Sequence, residues 1–219
     1  MRGASVLFFG ALIASLGCGT PNGGGGSSPT TTADGLVKTD IDMPGALYVR
    51  DDHGIGSYDA FLVPPVAIHY KPKSDKLEME EELKTLLRES LVDAMERNEI
   101  PVEDTAGPCV MQVGLVLYNV NVPKRRRADT LGTMTLVMEF RDSTSGQPLL
   151  RYSLPNRIER KGVGNRERQL RRGFDKMVDQ MNVGQAMVAA GLYDQETRAG
   201  CHGTMAKRAK QGPPAVSAE

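Results

Sequence analysis

Two runs of alternating residues meet at one tight turn, and that pairing restricts the chain more than any other feature. In Leu131–Arg141, Met134, Leu136, Met138 and Phe140 fall on one side of an extended strand, with Thr133, Thr135, Glu139 and Arg141 on the other. Asp142-Ser-Thr-Ser-Gly146 supplies turn-forming residues, and Leu149–Leu154 returns as the next antiparallel strand. Side chains on a strand alternate at a period of two, so burying one set fixes the register of the whole pair. A hairpin with one apolar face must be covered by a second layer.

The chain offers helices for that layer. Asp75 and Glu78 read as a capping box, and Glu80, Glu81 and Glu82 complement the positive end of a helix dipole. Met79, Leu83, Leu86, Leu87, Leu91, Ala94 and Met95 recur at helical spacing behind them, while Glu80 with Lys84 and Asp93 with Arg97 form outward pairs. A second helix follows near Arg166, with Leu170, Phe174, Met177, Val178 and Met181 on one stripe. Gly173 inside it costs about 1 kcal/mol relative to alanine. A shorter helical piece is read over Val183–Leu192.

More strands precede the hairpin. Cys109–Val122 is apolar on both faces at its start: Val110, Val116, Val120 and Val122 take one side, and Met111, Val113, Leu115 and Leu117 the other. That pattern suits a central strand whose far end, at Asn119 and Asn121, emerges into water. Tyr58–Tyr70 is rich in Val, Ile, Phe and Tyr, but Pro64 and Pro65 cannot donate to a sheet ladder and imply an edge position or a break. Leu47–Arg50 and Ile100–Glu103 read as short strands. The expected fold is α+β, an antiparallel sheet of about four to five strands with two main helices packed on one face. Residues 47–192 form a single domain on this reading, and 193–219 a disordered tail.

The amino end reads differently. Arg2 followed by the apolar run Val6–Leu16 has the form of a signal peptide over residues 1–17, and its run is too short to span a membrane. Cys18 after Ser15-Leu16-Gly17 resembles the lipobox of bacterial lipoproteins, in which the cysteine is lipidated and becomes the first mature residue; Ser15-x-Gly17 also suits ordinary signal peptidase and simple secretion, with the same cut before Cys18. Residues 18–46 then form the lipidated start and a Gly/Ser/Thr/Pro tether with little apolar surface to offset its ordering. The expected address is a lipid anchor in the outer membrane, facing the periplasm.

Ser57-Tyr-Asp-Ala-Phe-Leu-Val-Pro-Pro-Val66, Leu91-Val-Asp-Ala-Met-Glu96, Gly107-Pro-Cys-Val-Met-Gln-Val-Gly-Leu115 and Glu139-Phe-Arg-Asp-Ser-Thr-Ser-Gly-Gln-Pro-Leu149 carry a family likeness. Together they resemble an uncharacterised lipoprotein family of Gram-negative bacteria, domain of unknown function number three-three-one-three. The resemblance spans about residues 47 to 182. It implies a secreted, anchored α+β domain and carries over no catalytic residue.

Charge narrows the partners. With 27 Lys+Arg against 27 Asp+Glu there is no global field for nucleic acid. Locally, Arg157, Arg160, Lys161, Arg166 and Arg168 surround a glycine-containing loop that enters the second helix, and arginine in a first turn opposes the helix dipole. That surface suits an anionic headgroup, an envelope polymer or an acidic partner. Lys124, Arg125, Arg126 and Arg127 form another basic run, at a strand-to-strand loop. A solvated basic face is the plainer account of both. Cys109 and Cys201 are a possible disulfide, since the address permits one and Cys18 is used by lipid.

No catalytic, metal or cofactor set emerges. His53, His69 and His202 make no zinc-binding spacing, and Asp51-Asp52-His53 reads as a polar turn. No Gly-x-Ser-x-Gly elbow is present. The methionines mostly fall on the buried stripes and read as core filler. The expected function is a membrane-anchored envelope lipoprotein acting as a binding or accessory module. The alternatives are a small periplasmic enzyme using hydrolase or thiol chemistry at His69 or Cys109, and a self-assembling structural protein of the envelope.

Overall fold

The computed structural model describes residues 31–123, 130–161, 165–179, 184, 187–188, 190–195 and 197–211. In chain order the elements are β1 (Val37–Thr39), β2 (Ala46–Val49), a 3-10 turn (Ile55–Ser57), β3 (Ala60–Leu62), β4 (Ala67–Tyr70), α1 (Glu80–Arg97), β5 (Val110–Asn121), β6 (Thr130–Asp142), β7 (Pro148–Glu159), α2 (Arg166–Asp179) and α3 (Thr204–Gln211). The fold is α+β, but the sheet has seven strands in the order β1-β2-β7-β6-β5-β3, with β4 also on β5. The expectation of an antiparallel sheet of four to five strands with two main helices is therefore corrected to a mixed, larger sheet with three helices among the described residues.

The extra strands were too short to show a period. Pro64 and Pro65 divide the expected Tyr58–Tyr70 strand into β3 and β4, and both halves lie parallel to β5, pairing Ala60 with Val110 and Ala67 with Val116. Parallel neighbours cannot be joined by a hairpin, and α1 carries the chain from β4 across to β5. At the other end, β1 lies within the stretch read as a tether. Val37 pairs with Val49, Leu36 is fully buried, and Asp34 forms an ion pair with Arg151. Two apolar residues inside a polar segment give no periodic signal, yet they suffice to extend an existing sheet.

The long strands follow their patterns. Met111, Val113, Leu115 and Leu117 of β5 are buried, as are Met134, Leu136, Met138 and Phe140 of β6 and Leu150, Tyr152 and Leu154 of β7. The β5 register shifts between Tyr118 and Asn121, where Asn119 takes a left-handed φ of 55°. The bulge turns Val120 into the core. Strand β7 continues past Leu154 to Glu159, so Arg157 stands on a strand rather than in a loop.

Helix α1 buries Leu83, Leu87, Leu91 and Met95, one residue per turn. It starts at Glu80, with Met79 at its cap and no side-chain hydrogen bond there, so the Asp75–Glu78 capping box is not used. The reason is local. Leu77 and Met79 are buried, and the Leu77 N–H donates to the Tyr70 hydroxyl at 3.1 Å, holding this segment outside the helix. Leu170, Phe174 and Met177 of α2 join the same core cluster. Gly173 lets α2 approach β7: a Cβ there would stand 2.8 Å from two carbons of Ile158.

Within the segment expected to be a disordered tail, residues 197–211 are described. This stretch returns to the 3-10 turn and β3, and ends in α3, with Met205 buried. Its contacts are specific polar ones to distant partners, which leave no apolar periodicity in the sequence.

Candidate functional site

A cleft of about 470 Å³ opens where three separated segments converge. The first is Asp75–Met79, ahead of α1; the second is Arg160, just past β7; the third is Asn165, Arg166 and Leu170, at the start of α2, with Val122 beyond β5 closing one side. Each is positioned by a nearby contact. The Ser74 hydroxyl accepts from the Val122 N–H at 2.9 Å, tying the pre-helical segment to the end of β5. The Tyr70 hydroxyl donates to Glu80 at 2.9 Å while accepting from Leu77. Burial, partly offset by the Leu77 hydrogen bond, pushes this hydroxyl up to about 12, so it stays protonated at neutral pH. Arg166 reaches the Pro123 carbonyl at 3.5 Å, and the Gln169 N–H donates to the Asn165 carbonyl at 3.1 Å.

The lining is chemically mixed. Lys76, Arg160 and Arg166 bring positive charge, Asp75 and Glu78 negative charge, and Leu77, Met79, Val122 and Leu170 an apolar floor. Such a surface can hold a charged group and an apolar one together. Among the described residues that line it there is no cysteine, serine or histidine.

The basic residues singled out from sequence separate. Arg160 and Arg166 meet at the cleft. Arg157 is exposed on β7 and lies 3.8 Å from Glu159. Lys161 is exposed, and its backbone N–H donates to Gln169 at 2.9 Å, while Arg168 is exposed on α2. Arg171 pairs with Glu82 of α1 at 2.6 Å, joining the two helices. Lys124, Arg125, Arg126 and Arg127 lie outside the described residues, as does Cys18.

The histidines do not gather around a reactive group. His53 is buried, and its Nδ1 accepts from the Ile55 N–H at 3.1 Å; burial lowers its pKa against the opposing pull of Asp52 and Asp51. His69 is exposed on β4 and stacks on Tyr118, with ring centroids 4.8 Å apart. Cys109 is bonded to Cys201, with their Cα atoms 5.6 Å apart, so a thiol mechanism at Cys109 has no free thiol in this state. Asp59 lies beside that disulfide, but sulfurs bonded to each other offer a metal no thiolate.

One polar cluster escaped sequence reasoning entirely. Tyr58 is fully buried, and its hydroxyl donates to Asp142 Oδ2 at 2.8 Å. Arg198 reaches the same carboxylate oxygen at 3.3 Å and lies 5.3 Å from the Tyr58 ring centre. Burial would raise the Asp142 carboxyl, but hydrogen bonds from Ser145, Tyr58 and Arg198 outweigh it and bring it down to about 2. Burial and the Asp142 contact push Tyr58 up to about 12. These residues are 84 and 56 positions apart from Asp142, so no local motif announces them. The cluster reads as a structural network that ties the end of β6 to the 3-10 turn, with Arg198 covering it from the surface.

The chain matches no protein-family model and no curated protein. Among solved structures it is similar to the PelC dodecamer from Paraburkholderia phytofirmans, at 9% identity over 74% of this chain and 98% of that one, with a TM-score of 0.35. It is also similar to a neuraminyllactose-binding hemagglutinin homolog from Helicobacter pylori, at 11% identity over 71% of this chain and 90% of that one, with a TM-score of 0.34. A DUF330 protein from Xanthomonas campestris shares 12% identity over 84% of this chain and 95% of its own, with a TM-score of 0.36. At these scores the likenesses carry no functional weight.

Proposed function

We propose that this chain is an envelope lipoprotein, anchored through Cys18, that works as a binding or accessory module and contacts its partner at the Arg160–Arg166 cleft. The observation that carries the contact is convergence: Lys76, Arg160 and Arg166 come from three segments to one cavity. Arginine presents a planar fork of donors suited to carboxylate and phosphate, so the preferred group is an anion borne by an envelope polymer, a lipid headgroup or an acidic protein. The apolar floor favours an anion attached to a hydrophobic or extended body. Anchoring confines the module near its membrane, raising its effective concentration against a neighbour.

Two measurements test the two halves. Cys18→Ala should move the chain from the membrane to the soluble fraction with its fold intact, and a variant that stays membrane-bound removes the anchor. Crosslinking in intact cells with Arg160→Glu and Arg166→Glu should lose a partner that the native chain captures. Retention of every partner by the doubly reversed chain removes the cleft as the contact.

A further inference from the structure

We infer that residues 197–211 are a disulfide-held strap that masks the Ile55–Asp59 segment and is released, with the sheet still folded, when Cys109–Cys201 is reduced. The contacts of the strap, with that of Gln195 just ahead of it, converge mainly on one patch, while Arg198 also reaches Asp142 and Pro108 and Arg208 pairs with Glu99. The Gln195 side chain accepts from the Gly54 N–H at 2.9 Å, and the Arg198 N–H donates to the Ser57 hydroxyl at 2.8 Å. Asp59 accepts from the His202 N–H at 2.9 Å, and from the Thr204 N–H and hydroxyl at 2.9 and 3.0 Å, so a carboxylate on a distant loop caps α3. The Met205 N–H donates to the Tyr58 carbonyl at 3.2 Å. Gly203 packs so closely that a Cβ would stand 2.8 Å from the Gly56 carbonyl oxygen. Ile55, Gly56, Ser57 and Tyr58 are all buried beneath this layer.

The contacts themselves are of a kind that does not hold a chain segment alone. Helix α3 has eight residues, below the length at which an isolated helix persists in water, and Met205 is its one fully buried apolar side chain. The rest are hydrogen bonds, the Arg198 contacts to Asp142 and the Tyr58 ring, and exposed ion pairs such as Lys210 with Asp194, few to set against the entropy of an ordered segment. The disulfide supplies what they lack, because it joins positions 92 apart and keeps the segment close to its patch. The sheet is built differently. β5, β6 and β7 are its longest strands, their registers run through one apolar core, and only Cys109, one residue ahead of β5, touches the bridge.

Release needs a dithiol reductant. A thiolate attacks one sulfur of the half-buried bridge to give a mixed disulfide, and its second thiol resolves that intermediate. Two electrons and two protons pass to Cys109 and Cys201, which become thiols, while the reductant closes to its own disulfide. The Tyr58 ring then loses its Arg198 cover, and Asp59 loses its donors.

Native-state hydrogen exchange on the full chain, with and without dithiothreitol, tests the inference, with Cys109→Ser/Cys201→Ser as the permanently open form. Protection at 198–211 and 55–59 should fall by at least about tenfold in both open forms, while β5–β7 amides keep theirs. Unchanged strap protection on reduction would mean that the non-covalent contacts suffice, and would overturn the proposal. So would parallel loss at β5–β7, which would make the bridge a support of the whole fold.

Discussion

Asp142→Asn is the substitution whose cost the structure states most directly. One carboxylate oxygen accepts from the N–H groups of Thr144 and Ser145 and from the Ser145 hydroxyl, closing the β6–β7 turn, while the other accepts from Tyr58 and Arg198. Its side chain is 10% exposed, so solvent screens these contacts little. A fall from the ordinary 3.8 to about 2 corresponds to about 2 kcal/mol in favour of the ionised folded form at neutral pH. Asparagine keeps one acceptor oxygen but presents an amide to either the turn N–H groups or Tyr58, and it removes the charge that Arg198 faces. The expected loss is about 2 kcal/mol at pH 7. The sign fixes the pH dependence. A carboxyl depressed in the folded state contributes fully above its unfolded value and loses that contribution as pH falls through the folded one. The gap between native and variant chains should therefore close between about pH 4 and about pH 2. Urea unfolding of both chains with the disulfide intact, at neutral pH and in that window, measures it. A loss below about 0.5 kcal/mol at pH 7, or one that persists undiminished at pH 2, would refute the network as described.

Gly173→Ala should destabilise by about 1 kcal/mol although alanine is the better helix former, because the new methyl meets branched carbons of Ile158 and overpacking outweighs propensity. A raised unfolding midpoint would reject that balance. Gly45→Ala places a Cβ 2.5 Å from the Ser153 carbonyl oxygen at a φ of 102°, and should cost about 2 kcal/mol by the same assay. Asp59→Asn should weaken the α3 cap: burial pushes this carboxyl up, but hydrogen bonds from His202 and Thr204 hold it below its usual range. Hydrogen exchange at 202–205 should then quicken about tenfold while β6 is unaffected, and equal exchange in both chains would remove the cap.

What the sequence disclosed followed from length and period. β6 and α1 each repeat an apolar choice several times, so most of their buried residues were legible, although Leu86 and Ala94 of α1 are only half-buried and Val137 of β6 is buried on the opposite face. β1 and β3 have three residues each, which is less than two full repeats, and their pairing is set by neighbours already in place. Parallel pairing of β3 and β4 on β5 was hidden for a related reason: orientation is decided by how α1 returns the chain, not by the residues of the strands. At the cleft, Arg160 and Arg166 stood out because basic residues at a helix start conflict with its dipole. Lys76 did not, since its part depends on Leu77 and Met79 being drawn into the core and away from the helix. The Tyr58–Asp142–Arg198 contact joins three distant segments by single hydrogen bonds, and no spacing in one dimension encodes that.

Pro64 and Pro65 bear on how this protein behaves in a crowd. A sheet that ends in a long, flat strand exposes a ladder of unpaired amides, which recruits other chains into aggregates. Here one margin is the three-residue β1, bridged from outside by Thr31 at Val37. The opposite margin is cut by two prolines into β3, bridged by Val102 at Phe61, and the four-residue β4. Neither margin offers the six or seven continuous residues of a typical cross-β segment. The prolines that deny the domain one continuous strand thereby remove one route by which copies could pair edge to edge at high density.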